Sequence, residues 1–169
     1  ERSYEEIRAG APGILGRPHV ASILTEEGIV DSVGEAFAEY LGENGAAFVP
    51  MERMPAPEVV EAIQGAGGVV SLAHPGRIRS DDLVGILADL VDAGLDALEV
   101  RYPYGGVSAG TEGGFSVSDA TALAEAYDLL RTGGSDCHGP GSGKFRIGDV
   151  RVSRADLQAL AGAAGVDLV

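Results

Sequence analysis

LLRTGGSDCHG, residues 129–139, is the stretch on which the fold turns. A short apolar run reads as a buried strand, two glycines stop it, and Asp136 and His138 follow one residue apart. Two earlier stretches share this plan. GVVSLAHPG (68–76) is a buried-type strand that runs out into His74, and LDALEVR (95–101) is a strand ending on Glu99 and Arg101. Between the strands lie helical patterns. APEVVEAIQGAG (56–67) has proline near its first turn and glycine at its end, the usual asymmetry of helix starts and stops. SDDLVGILADLVDAG (80–94) opens on a Ser or Asp cap and carries Leu83, Ile86, Leu87, Leu90 and Val91 at helical spacing. SVSDATALAEAYD (116–128) and SRADLQALAGAAG (153–165) are helices with serine caps.

With AAFVP (46–50) as a first short strand and VDLV (166–169) as a last one, strand and helix alternate from residue 46 onward. That alternation predicts a parallel α/β sheet with helical crossovers. Residues 1–45 read differently, as a small helical unit: YEEIRAGA (4–11), a short helix over Val20–Glu27, and SVGEAFAEYLG (32–42) stopped at Gly42. The expected organisation is a helical subdomain over 1–45 and an α/β domain over 46–169.

In parallel α/β architectures function gathers at the carboxyl ends of the strands. Three strand ends here carry ionisable groups: His74, then Glu99 with Arg101, then Asp136 with His138. In an extended segment residues i and i+2 point the same way, so Asp136 and His138 would face one point with Cys137 turned aside. Carboxylate oxygen and neutral imidazole nitrogen suit Zn, Mn or Fe(II), and the glycines around them allow tight turns. Each motif also has a plainer reading. His74 before proline is equally a turn histidine bonded to backbone, D-x-H triplets are common, and Glu99 serves either to orient a ligand or as an ordinary strand-end carboxylate. GPGSGK (139–144) is not a P-loop, because Lys144 is followed by Phe145 where Ser or Thr is required.

Composition bounds the function. The 169 residues carry a net charge of −14 and include 12 Lys plus Arg against 26 Asp plus Glu. Such a surface repels nucleic acid unless a basic patch reverses the field locally. Near absence of lysine beside abundant acid, Ala and Gly favours adaptation to high salt over a simply acidic protein, and is also what a GC-rich genome would give. A single cysteine excludes an internal disulfide and fits a reducing compartment. No apolar run approaches the length of a membrane span and no signal peptide opens the chain, so a cytoplasmic protein is expected. Glu1 stands where Met would be expected, which suggests that the numbering starts inside a longer protein or after processing.

Taken together, GRPHVA (16–21), GGVVSLAHPGR (67–77), GLDALEVRYP (94–103) and LLRTGGSDCHG occur in an order and at separations that resemble the C-terminal half of the PHP (polymerase and histidinol phosphatase) family, of the TrpH-like metal-dependent phosphoesterase type. The resemblance runs from about Gly16 to Gly148. It implies the C-terminal portion of a distorted (β/α)7 barrel, with four of the seven strands, and with the N-terminal helices as an insertion. It implies two or three divalent metals, Mn, Fe or Zn, and hydrolysis of small phosphate esters such as nucleotides, bisphosphates or short oligonucleotides. Carried over by position, His74, Asp136 and His138 match metal ligands. Asp136 and His138 are then the catalytic pair, as ligands rather than general bases, with Asp136 also able to orient water. Arg17, His19 and Arg77 would face the substrate, with Arg17 and Arg77 neutralising phosphate oxygens; the plain alternative for both arginines is a surface salt bridge.

Family members open with H-x-H on their first strand, then a further His and a Glu. The three histidines of this chain are all accounted for, so that front half is absent. The chain alone is therefore expected to turn over weakly or not at all. Two other readings stay open: a non-catalytic PHP-like module with at most a weak metal site, and a metal-dependent amidohydrolase-like enzyme. An uncovered sheet edge would also favour self-association.

Overall fold

The computed structural model describes residues 3–10, 15–105, 114–137 and 147–168. The chain divides into two compact units, Glu1–Arg53 and Met54–Val169.

The first unit is helical: α1 (Tyr4–Gly10), α2 (Arg17–Glu26) and α3 (Val33–Ala36), the last continuing as a π-helical turn over Phe37–Leu41. Helix α2 starts three residues earlier than its apolar pattern suggests. Pro18 fits the first helical turn, where a missing N–H costs nothing, and the His19 imidazole accepts the Gly16 N–H at 3.1 Å through Nδ1. Ser32 caps α3 by accepting the Glu35 N–H at 3.1 Å. Ala21, Val30 and Ala36 form the small core, with Leu24, Phe37, Tyr40 and Leu41 packed against them. AAFVP is not a strand. Residues 46–50 form turns and irregular chain, and Val49 is 77% exposed. No strand among the described residues pairs with it.

The second unit runs α4 (Ala56–Gly65), β1 (Ser71–Leu72), α5 (Leu83–Asp92), β2 (Ala97–Arg101), α6 (Val117–Ala126), β3 (Leu130–Gly133) and α7 (Arg154–Ala163). Its three strands lie in chain order β1-β2-β3 and pair in parallel. A parallel pair cannot be joined by a tight turn and needs a crossover; α5 and α6 supply them. The caps expected from sequence are made. The Asp82 carboxylate accepts the Gly85 N–H at 2.8 Å, and the Ser116 and Ser153 hydroxyls accept from Asp119 and Asp156. VDLV, by contrast, shows no strand over residues 166–168, where Val166 and Leu168 are exposed. Of the five strand candidates in the sequence, the described residues therefore hold the middle three.

Alternation along β2 organises the core. Leu98 and Val100 are buried with Leu87 and Leu90 of α5, Ala120 and Ala124 of α6, and Val60 of α4. Both crossover helices thus cover the same face of the sheet. The opposite face carries Ser71, Ala97, Glu99 and Thr132 at the paired positions. Here the Ser71 hydroxyl of β1 and the Thr132 hydroxyl of β3 meet at 2.8 Å across the intervening strand. In a flat sheet next-nearest strands lie roughly 9–10 Å apart, so this contact requires the sheet to curl toward that face. At the amino ends of the strands, Asp96 accepts the Val70 N–H and the Gln64 amide, each at 2.7 Å, which ties α4 and β1 to β2.

Two outcomes follow. Leu98 is fully buried, so Leu98→Ala should cost about 2–5 kcal/mol, read as a lower midpoint in urea unfolding. At the α6 cap, hydrogen bonds from Ser116 hold the Asp119 carboxyl below the usual carboxylate range. A depressed folded-state pKa adds stability that is present above the unfolded value and lost as pH falls through the folded one. The stability advantage of wild type over Asp119→Asn should accordingly be full near neutrality and shrink below about pH 4, as measured by unfolding at a series of pH values.

Candidate functional site

The carboxyl ends of β1, β2 and β3 bring His74, Glu99 and Asp136 to one edge of the sheet. His74 follows β1 and starts a short 3-10 turn over Pro75–Arg77. Its backbone N–H donates to Glu99 Oε2 at 2.7 Å. Glu99 points away from the Leu98 and Val100 core because of strand alternation, and so reaches across to β1. Burial pushes the Glu99 carboxyl above its ordinary pKa. The His74 N–H and the His74 charge oppose that rise, and the Asp136 charge reinforces it.

At the centre sits Tyr102, just beyond β2 and 2% exposed. Its hydroxyl donates to Asp136 Oδ2 at 3.1 Å and accepts from Arg77 Nη1 at 2.9 Å. Its ring meets the His74 ring edge-on, with centroids 5.5 Å apart. The Tyr104 ring lies 5.1 Å from that of Tyr102, and the Phe115 ring lies 5.0 Å from that of Tyr104. Tyr104 donates its own hydroxyl to the Glu99 carbonyl at 3.0 Å. Burial raises the pKa of both phenols. Asp136 adds to the rise at Tyr102, which Arg77 opposes, and the Glu99 charge adds to it at Tyr104.

His74 and Asp136 also share an unusual backbone. The described residues include three non-glycine positions with positive φ, and these two, at 31° and 53°, are among them. Left-handed backbone is uncommon outside glycine and clusters where the surroundings impose it. For Asp136 this corrects the sequence reading. β3 ends at Gly133 and φ at Asp136 is positive, so the acid lies beyond the strand on a turned backbone. His138, and with it their expected pairing, lies outside the described residues. Cys137 is half-buried.

Of the predicted site residues, His74, Arg77 and Asp136 come together around Tyr102. Arg17 and His19 belong to the first unit. There Arg17 donates to the Leu41 carbonyl at 3.1 Å and lies 6.0 Å from the Phe37 ring centroid, and His19 serves the start of α2. The sequence analysis assigns no role to Tyr102 or Tyr104, which follow the strand end at Arg101. Their signal was available: two tyrosines immediately after a strand end that already carries an acid.

Imidazole nitrogen and carboxylate oxygen are donors that Mn, Fe(II) and Zn accept. Among the described residues, no group of three or more His, Cys, Asp or Glu side chains closes into a cluster that would hold a metal ion. The donor types are right for a divalent metal, but the described residues do not assemble a ligand set.

No protein-family model matches the chain. It is 29% identical over 135 residues to the 5'-3' exoribonuclease Rnm of Escherichia coli strain K12, covering 79% of this chain and 44% of that protein. It is 28% identical over 142 residues to the 3',5'-nucleoside bisphosphate phosphatase of Chromobacterium violaceum, covering 81% of this chain and 46% of the relative. The crystal structure of a candidate metal-dependent phosphoesterase from Bifidobacterium adolescentis superposes with a TM-score of 0.75 at 29% identity. That match covers 98% of this chain and 57% of the other. The chain is homologous to part of the PHP-type phosphoesterases. It has the mixed α/β fold of the Bifidobacterium protein, and it spans about half the length of the curated relatives it matches. No helix among the described residues is long and apolar enough to cross a membrane.

Close packing beneath the site gives a test. A Cβ on Gly133 would lie 2.5 Å from Arg101 Cβ and 2.6 Å from the Arg101 carbonyl oxygen. Backbone atoms cannot swing aside, so Gly133→Ala should force β3 from β2 and cost about 1–3 kcal/mol. Thermal unfolding would measure the loss, and the Asp136 amide resonance should shift with it.

Proposed function

We propose that this chain is the C-terminal, ligand-bearing portion of a metal-dependent phosphoesterase that hydrolyses small phosphate esters such as nucleotides or oligonucleotide ends. The observation that carries the reading is the meeting of His74, Glu99 and Asp136 from three adjacent parallel strand ends, with Arg77 joined to Asp136 through one tyrosine. A guanidinium beside such a group suits a phosphate oxyanion better than a neutral amide. The named activities of the two curated relatives, on RNA and on a nucleoside bisphosphate, support the same substrate class.

In this reading His74, Asp136 and His138 are metal ligands, and Arg77 binds the phosphate. The remaining donors come from the part of the relatives that this chain does not span. Arg17 and His19 belong to a helical insertion and face the substrate. The second unit is a portion of a (β/α) barrel. Support for this comes from strands added in chain order, crossover helices on one face, and a sheet that curls toward the other. Mn, Fe and Zn are the candidate metals, and the open sheet edges are the route to any self-association.

The test is metal binding and hydrolysis by the purified chain. Equilibrium dialysis against Mn2+ should show binding that Asp136→Asn weakens by at least about 10-fold. Release of phosphate from a nucleoside 3',5'-bisphosphate should be slow or absent with this chain alone. Rapid hydrolysis abolished by Asp136→Ala would overturn the view that its ligand set is incomplete. No metal binding together with no hydrolysis would favour a non-catalytic module.

A further inference from the structure

We propose that Tyr102 is a positioning residue for phosphate binding: its hydroxyl locks the Arg77 guanidinium and the Asp136 carboxylate into one unit. This inference rests on the phosphoester reading above and goes beyond it, because it assigns a role to a residue outside the family-matching ligand positions.

The polarity of the network is dictated by its members. A guanidinium can only donate, an ionised carboxylate can only accept, and a phenol has a single hydrogen. Arg77 Nη1 lies 2.9 Å from the Tyr102 oxygen, and that oxygen lies 3.1 Å from Asp136 Oδ2. The phenolic hydrogen must therefore point at Asp136, and an oxygen lone pair must receive Arg77. Reversing the order would leave the carboxylate facing a lone pair.

The ring cannot drift. It is 2% exposed and packs against both the His74 ring at 5.5 Å and the Tyr104 ring at 5.1 Å. Arg77 and Asp136 come from different strand ends, the turn after β1 and the loop after β3, and neither element alone fixes the other. A guanidinium has five N–H groups in a planar fork. The Tyr102 oxygen holds the Nη1 end of that fork in place beside Asp136, and recognition of a phosphate by a guanidinium depends on how the fork is placed.

Adenosine 5'-monophosphate, a phosphate monoester of the proposed class, is the probe, titrated into the full 169-residue chain by calorimetry. Tyr102→Phe keeps the ring and removes only the hydroxyl. It should weaken binding about 5- to 10-fold. Because Tyr102 acts through Arg77, Tyr102→Phe combined with Arg77→Ala should bind no more weakly than Arg77→Ala alone. The proposal is overturned by wild-type affinity in Tyr102→Phe, or by losses that multiply in the double variant. An absence of binding by the wild-type chain would overturn the phosphoester reading along with it, whereas unchanged affinity in Tyr102→Phe beside a binding wild type sinks the Tyr102 role only. A second readout does not need Tyr102→Phe to fold. Asp136→Asn in the otherwise wild-type chain should shift the Arg77 side-chain Nε–H resonance, and an unmoved signal would count against the coupling.

Discussion

Everything at the strand ends depends on the alternation of side chains along five residues of β2. Leu98 and Val100 turn inward to α5 and α6, and burying them holds the sheet against its helices. The same two-residue period turns Glu99 the other way, onto the face where it can take the His74 N–H. Slipping β2 by one residue would drive a carboxylate into the leucine core and expose Leu98. The desolvation cost of that carboxylate, several kcal/mol, is what sets the register. Packing and site are therefore one constraint seen from two sides of the sheet.

The site itself is arranged as a charge problem solved by a neutral group. Burial raises the Glu99 pKa, the His74 N–H and charge oppose that rise, and the Asp136 charge adds to it, while Arg77 meets Asp136 only through Tyr102. Tyr102 stands among them with a hydroxyl that is donor and acceptor at once. A hydrophobic residue in its place would leave the Arg77 and Asp136 atoms that now bond to it without that partner. A charged residue would unbalance the cluster. The tyrosine and phenylalanine beside it supply the apolar wall against which these polar atoms are held.

Much of this could be read from the chain before any coordinates. The cap residues Asp82, Ser116 and Ser153, the apolar spacing over Leu83–Val91 and the glycine stops define helices through local chemistry, and those helices formed near the expected positions. The ends of the apolar runs also located His74, Glu99 and Asp136. What failed were inferences that needed non-local information. AAFVP has strand composition, but no neighbouring strand pairs with it. The extended path through Asp136 was inferred from strand geometry, although the chain has already left β3 and φ at Asp136 is positive. Tyr102 escaped notice because a tyrosine in a glycine-rich stretch has no periodic signature. Its importance comes from Arg77 and Asp136, 25 and 34 residues away.

The hydroxyl contact between Ser71 and Thr132 passes over Ala97, whose side chain is fully buried beneath it. Ala97 pairs with Ser71 on the strand between the two hydroxyls, and its single methyl group leaves the outer strands room to bend toward each other. A valine or leucine there would splay the bowl, widening the distance between the residues at its rim without touching any of them. The spacing of the rim is thus open to control from a residue buried away from solvent.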